Sequence, residues 1–412
     1  MRATGGHHKH HPLRSACRGG GTDTRGYCRE SALAHRHGRR GSCGVCAGTS
    51  FSRASRPATG SQARDAMTPT PIVAFLFTSS RAALLERVAQ RDAADTPLYG
   101  MNYIPGAVAL DAQTYTLMKL LRRPWLLSRL WAYDIIIAQD NFLLGFLVSR
   151  GARLFGKPTQ WWCLNMTLSN LLRRHVKHPI RSFLLMHFWR SYGRILCLCE
   201  AQREALDAAG LPKRRLSVVP FGVDAAFFAG DEESSRGEEE FVLSVGRDAG
   251  RDYETLCEAI AGTNYPLVIV AGSNNSLGKR VPPQSTVRAD VDIREIRDLY
   301  RRARVVVVPS RPATNAAGSD CSGQTVILDA LAAGKAVIVT ERSWIREDFT
   351  GGEDLIVVPA EDEEALRSAL SDLWEDVALR HKLATHGRAT VVSKYTTKHF
   401  ASRLRELMQT AS

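Results

Sequence analysis

From residue 71 onward, short apolar runs alternate with stretches of helical periodicity, and this pattern limits the fold more than any other property of the chain. Apolar runs rich in Val and Ile, bounded by turn residues, read as strands buried on both faces of a parallel sheet. The helical stretches between them are then the crossovers that cover the sheet. In a first series the strand runs are 72–78, 133–139, 159–164, 194–199 and 216–219, with helical patterns at 82–91, 142–155 and 180–192. Residues 230–240 interrupt the series with an acidic stretch that has no apolar residue. A second series follows at 241–245, 267–271, 305–308, 336–339 and 355–358, with helical patterns at 253–261, 293–302, 325–333 and 363–374. A last helix is expected at 397–408. The chain is therefore read as two α/β halves, 67–229 and 241–394, joined by a linker at 230–240 and followed by a C-terminal helix in 395–412.

One unit of the second half carries more chemistry than the rest. Ser322-Gly323-Gln324-Thr325 is a small-residue loop that opens a helix, Gly334 ends that helix, and the run Ala336–Val339 follows as a strand. Unpaired N–H groups at such a helix start attract a phosphate. Asp329 lies far enough along the helix to reach a ribose while a diphosphate rests on the start. In open parallel sheets, ligands bind at the strand ends where the strand order reverses.

Two further loops point the same way. After the run 241–245, Gly246 is followed by Arg247 and Arg251, and Asp252 is placed to cap the next helix. A pair of guanidiniums at a strand end can make charge-assisted, bidentate bonds to phosphate oxygens. Gly272 and Ser273 end the next strand. In the first half, Pro220-Phe221-Gly222-Val223-Asp224 closes the series; Gly222 is read as a turn with positive φ and Asp224 as the cap of a short helix.

The order of these segments resembles family 4 glycosyltransferases, which have the GT-B fold of two Rossmann-like domains with a cleft between them. The resemblance covers about residues 194–408 by motif and 72–193 by architecture. It implies transfer of a sugar from a nucleotide-diphosphate sugar to an acceptor, a cell-envelope glycan or a lipid-linked molecule, with retention of anomeric configuration and no metal or other cofactor. The basic pair Arg247 and Arg251 would hold the diphosphate, helped by Gly246, Ser322, Gly323, Gln324 and Thr325. Asp329 would hold the ribose, and Gly272, Ser273 and the segment near Val287 would flank the base. The family's first acidic residue falls at Cys321, so Asp320, or the backbone amides of 322–325, would take over the sugar contact. On the acceptor side, Asn165 stands where many relatives carry His. Two other readings are a non-catalytic nucleotide-sugar-binding scaffold and a sugar-nucleotide epimerase of the same architecture.

Composition narrows the partners. The net charge of +13 suggests nucleic acid, but residues 1–66 hold 12 Lys/Arg against 3 Asp/Glu, a net of +9 that leaves +4 for 67–412. No nucleic-acid module is recognisable in the chain. The 1–66 segment has little apolar periodicity and no apolar core of a secretory signal, so it reads as a disordered extension, with Met67 an alternative start. Its cysteines lack the paired spacing of a zinc site. Cys163, Cys197, Cys199, Cys257 and Cys321 sit mostly in apolar runs and read as reduced thiols of a cytoplasmic protein. Asp290-Val291-Asp292 imitates a metal-binding motif, but Asp292 directly precedes a helix and reads as its cap. Five of the seven Trp lie between 125 and 189 among Lys and Arg, a composition that fits either helices packed on the sheet with solvated arginines or contact with the inner face of a membrane.

Overall fold

The computed structural model describes residues 71–139, 141–175, 177–229, 239–273, 275–278, 281–312, 315, 318–319 and 321–410. The 1–66 segment, most of the acidic linker, and Asp320 lie outside the described residues.

Each half is built on a six-stranded, wholly parallel sheet. The first contains β1 (Val73–Phe77), β2 (Val108–Asp111), β3 (Ile135–Gln139), β4 (Gln160–Leu164), β5 (Arg194–Cys197) and β6 (Leu216–Val218), in the order β2-β1-β3-β4-β5-β6. The second contains β7 (Val242–Gly246), β8 (Leu267–Ala271), β9 (Ser285–Arg288), β10 (Val305–Val308), β11 (Val337–Thr340) and β12 (Ile356–Val358), in the order β12-β11-β10-β7-β8-β9. Ten of these strands coincide with the expected apolar runs. The two that do not, β2 and β9, are edge strands, and β9 is half to fully exposed along its length. A strand paired on one side only needs no continuous apolar run, so its sequence carries a weaker signal.

In the second sheet the order reverses between β7 and β10, which places a crevice beyond their C-terminal ends. The all-Val strand β10 is buried on both faces, as a central parallel strand must be. The helix Thr397–Gln409 packs back on the first half. Val223 N–H donates to the Tyr395 carbonyl (2.9 Å), Thr397 N–H donates to the Val223 carbonyl (3.0 Å), and the Phe221 and Phe400 rings lie 5.7 Å apart. Gly222 does not adopt the expected positive φ. Glycine is required there because a Cβ would run into the carbonyl of Thr396. One continuous apolar cluster results, holding Phe75, Phe221 and Leu198 from the first half with Leu243, Val308, Leu328 and Phe400.

Candidate active site

The crevice is organised around Arg251. Strand β7 ends at Gly246, and the chain loops over to make a backbone bridge between Arg251 and Ser310, just beyond β10. Asp252 then caps the helix Tyr253–Ile260, its carboxylate accepting from Thr255 N–H at 3.3 Å. This anchoring turns the Arg251 side chain back over Gly246, where a Cβ would collide with the guanidinium. On the other side, a Cβ on Gly323 would lie 2.8 Å from Arg251 Nη1. Arg251 is 3% exposed, yet its Nε and Nη1 have no hydrogen-bond partner among the described residues. A buried donor left unpaired costs about 1–3 kcal/mol and more when charged. The cost is removed if an anion takes those N–H groups.

Gly323 also begins the helix Gln324–Ala332, with φ +93 and no side-chain cap. The helix start and the Arg251 guanidinium therefore face one cavity of about 230 Å3, lined also by Arg247, Ser319, Cys321, Gln324 and Thr325. Gln324 is buried with its Oε1 unpartnered. Arg247 is more exposed than Arg251 and lies 3.9 Å from Asp290. The cavity thus combines a buried guanidinium, a more exposed one and a helix N-terminus, a suitable environment for a diphosphate.

Asp248, which sequence reasoning passed over, holds the loops in register. Its Oδ1 accepts from Gly250 N–H (2.7 Å) and Ser322 Oγ–H (2.9 Å), and its Oδ2 accepts from Ser319 N–H (2.9 Å). The only cue in the sequence was its position between the two arginines. Ser322 is therefore a loop brace and is 2% exposed.

Asp329 opens onto an adjoining cavity of about 670 Å3, together with Thr325 one turn earlier, Met166, Phe221, Phe228 and the segment from Asp290 to Ile293. Its Oδ1 is buried without a partner. Burial, with the charge of Asp224 nearby, pushes the Asp329 carboxyl well above the usual carboxylate range. Asp224 is itself raised by burial and by the neighbouring Asp95, although it caps the helix Ala225–Ala229 through Phe227 N–H at 3.0 Å. A carboxyl held this way gains most when hydroxyl donors are brought to it.

The remaining candidates lie further from these cavities. Asn165 is fully buried and its Oδ1 accepts from Leu168 N–H at 2.9 Å, so it braces the turn after β4. Its neighbour Met166 lines both cavities, as do Phe221 and Thr325. Gly272 N–H donates to Asn275 Oδ1 (2.8 Å), and with exposed Ser273 it forms the loop beside Arg247. Val287 lies exposed on edge strand β9, whereas Val291 lines the larger cavity. Asp292 caps the helix Ile293–Arg302, accepting from Arg294 N–H at 3.0 Å, and pairs across the cleft with Arg87 at 2.9 Å.

Residues 24–222 match the glycosyl transferase 4-like domain, and residues 241–376 match glycosyl transferases group 1. The first match begins inside the 1–66 segment. A search of curated proteins finds no matching relative. Among solved structures, HepE of Anabaena in complex with UDP and glucose is similar at TM-score 0.61 and 14% identity, over 82% of this chain and 99% of that one. Sucrose-phosphate synthase of Thermosynechococcus elongatus is similar at TM-score 0.61 and 17% identity, over 82% and 98%. A glycosyltransferase of Rickettsia africae has TM-score 0.58 and 11% identity, over 84% and 99%. The chain is a glycosyltransferase of the GT-B architecture, a 4-like domain followed by a group 1 domain.

Proposed function

We propose that this glycosyltransferase takes its sugar from a nucleoside-diphosphate donor and transfers it with retention to a glycan or lipid-linked acceptor. The observation that carries the donor assignment is the buried Arg251 guanidinium with two unpaired N–H groups, set against the uncapped start of the helix Gln324–Ala332. As the glycosidic bond breaks, negative charge grows on the departing diphosphate; Arg251 stabilises it from a buried position already in place, and the more exposed Arg247 adds a second positive charge. The Asp329 carboxyl takes the ribose hydroxyls. The contact to the transferred sugar is assigned to Asp320. Calorimetry tests the donor site with UDP, GDP and ADP against the corresponding nucleosides. Arg251→Met is expected to weaken binding of the diphosphate that the unaltered chain prefers by about 1.5–3 kcal/mol, and to leave the nucleoside unchanged. Equal losses for both ligands would refute the phosphate assignment.

A lipid-linked acceptor is favoured by the surface of the first half. Leu117, Met118, Leu121 and Trp125 are exposed beside Lys119, Arg122 and Arg123, and Ile180, Phe183 and Leu184 are exposed near Arg181. An apolar cavity of about 510 Å3 opens between these helices, lined by Tyr115, Leu120, Phe142, Leu147 and Phe188. Apolar side chains edged with cations suit a membrane interface. No helix among the described residues is long and apolar enough to cross a membrane. Sedimentation with vesicles containing one-third phosphatidylglycerol should carry the chain down, and Leu121→Glu with Trp125→Glu should leave it in the supernatant.

A further inference from the structure

Two thiols meet where the halves meet. Cys199 follows β5 and is the N-cap residue of the helix Glu200–Ala208 in the first half. Cys321 lies in the loop that enters the helix Gln324–Ala332 in the second. Their Sγ atoms are 3.8 Å apart, and both residues are buried. A disulfide places the sulfurs about 2.0 Å apart, so the two thiols must close by a further ~1.8 Å to bond. We propose that Cys199 and Cys321 are an oxidation-responsive pair whose disulfide ties the two halves together and restricts entry to the diphosphate cavity. The regulatory part of this inference rests on the donor-site reading above.

Three observations single out this pair. Cys199 and Cys321 belong to the apolar cluster shared by the halves, whereas Cys163 and Cys197 lie in a cluster of the first half and Cys257 in one of the second. Each thiol of the pair also borders a cavity. Cys321 lines the cavity that holds Arg247 and Arg251, and Cys199 lines a cavity of about 180 Å3 with Arg173, Arg342 and Trp344. These cavities are the route by which a small oxidant would approach the pair. Finally, the segment next to Cys199 is already fastened across the cleft: the Glu347 carboxylate accepts from Glu200 N–H (2.7 Å) and Ala201 N–H (3.0 Å). A covalent bond one residue away would prevent those contacts from parting. Burial pushes the neighbouring Cys197 thiol up to about 12, which makes it a poor competitor for oxidation.

Hydrogen peroxide balances the chemistry. One thiolate attacks a peroxide oxygen, the O–O bond breaks, and a sulfenic acid forms as hydroxide leaves. The second thiol displaces that oxygen as water and the S–S bond forms. Overall, two thiols and one peroxide give a disulfide and two waters, with two electrons passing from sulfur to oxygen. A dithiol such as dithiothreitol reverses the bond by exchange.

The test uses the full chain, reduced or treated with stoichiometric hydrogen peroxide. Peptide mapping under non-reducing conditions should recover a peptide joining Cys199 to Cys321. Hydrogen exchange at the Glu200 and Ala201 amides, which face Glu347, should slow at least tenfold in the oxidised chain and recover with dithiothreitol. Cys199→Ser is nearly isosteric and puts a favoured N-cap residue at the helix start, should bind nucleotide like the unaltered chain, and should show neither the joined peptide nor the peroxide-dependent protection. Intact thiols after peroxide would overturn the pairing. A joined peptide with unchanged exchange would overturn the tie between the halves. Stopped-flow association of UDP, GDP or ADP, whichever binds the reduced chain, should slow at least tenfold on oxidation, and equal rates would overturn the restricted entry. If none of the three binds the reduced chain, the donor-site reading fails, while mapping and exchange still judge the pair.

Discussion

Asp329 shows how one side chain can be placed for binding at a cost to stability. Its carboxyl is buried in the protein and its Oδ1 has no partner, so the folded state holds its proton far more tightly than the unfolded state does. A carboxyl whose folded value is raised makes folding less favourable as pH climbs from the unfolded value near 4 toward the folded one. In that window the unfolded chain has released the proton and the folded chain has not. Asp329→Asn should therefore raise the melting temperature at pH 7 and remove part of the stability loss between pH 4 and pH 7. The same substitution should weaken a ribonucleotide donor more than its 2′-deoxy analogue, because an amide accepts through one oxygen only. The two measurements are differential scanning calorimetry across pH and the ribo-to-deoxy affinity ratio. A mutant that melts lower at pH 7 with an unchanged ratio would make Asp329 a structural residue. Ribose hydroxyls donating to the carboxyl favour its charged form, so donor binding should release a proton. That release is measurable from heats in buffers of different ionisation enthalpy.

At the scale of elements, the helix Gln324–Ala332 depends on what surrounds its first residue. Gly323 has φ +93, and a Cβ there would approach Val308 Cγ1 at 2.9 Å as well as Arg251. Gly323→Ala should cost about 1–3 kcal/mol in backbone and contact strain, read as a lower urea midpoint. It should also weaken nucleoside diphosphates, since the guanidinium must move. An unchanged midpoint would mean that the loop relaxes freely. The helix itself was legible because its apolar spacing, Gly334 stop and following strand agree. The 18-residue helix Val377–Lys394 was not read, because its apolar residues keep to no single face and bury only Arg380, Leu383, Gly387 and Val391. Asp248 was not read for a related reason. An acidic residue in a loop looks solvated until the partner loop, more than seventy residues away in the chain, is folded against it.

At the scale of the molecule, the last helix makes the two halves interdependent. Phe400, Ala401 and Leu404 are fully buried in the shared cluster, against residues such as Phe221 of the first half. Phe400→Ala should cost about 3–5 kcal/mol, measured by urea unfolding, and tryptophan fluorescence and far-ultraviolet dichroism should report coincident transitions. A loss below 1 kcal/mol would mean the helix is an appendage. By itself, the sequence determined the α/β class, ten of the twelve strands among the described residues, the loop that holds Arg247 and Arg251, and the helix that holds Asp329. These follow from local periodicity, turn residues and the need to bury a parallel sheet on both faces. Only the tertiary structure decided that Arg251 is buried with its Nε and Nη1 unpartnered among the described residues, that Asp248 joins two loops, that Met166 rather than Asn165 reaches the cavities, and that Cys199 lies beside Cys321. Each of those depends on residues far apart in the chain, whose spacing no local pattern records.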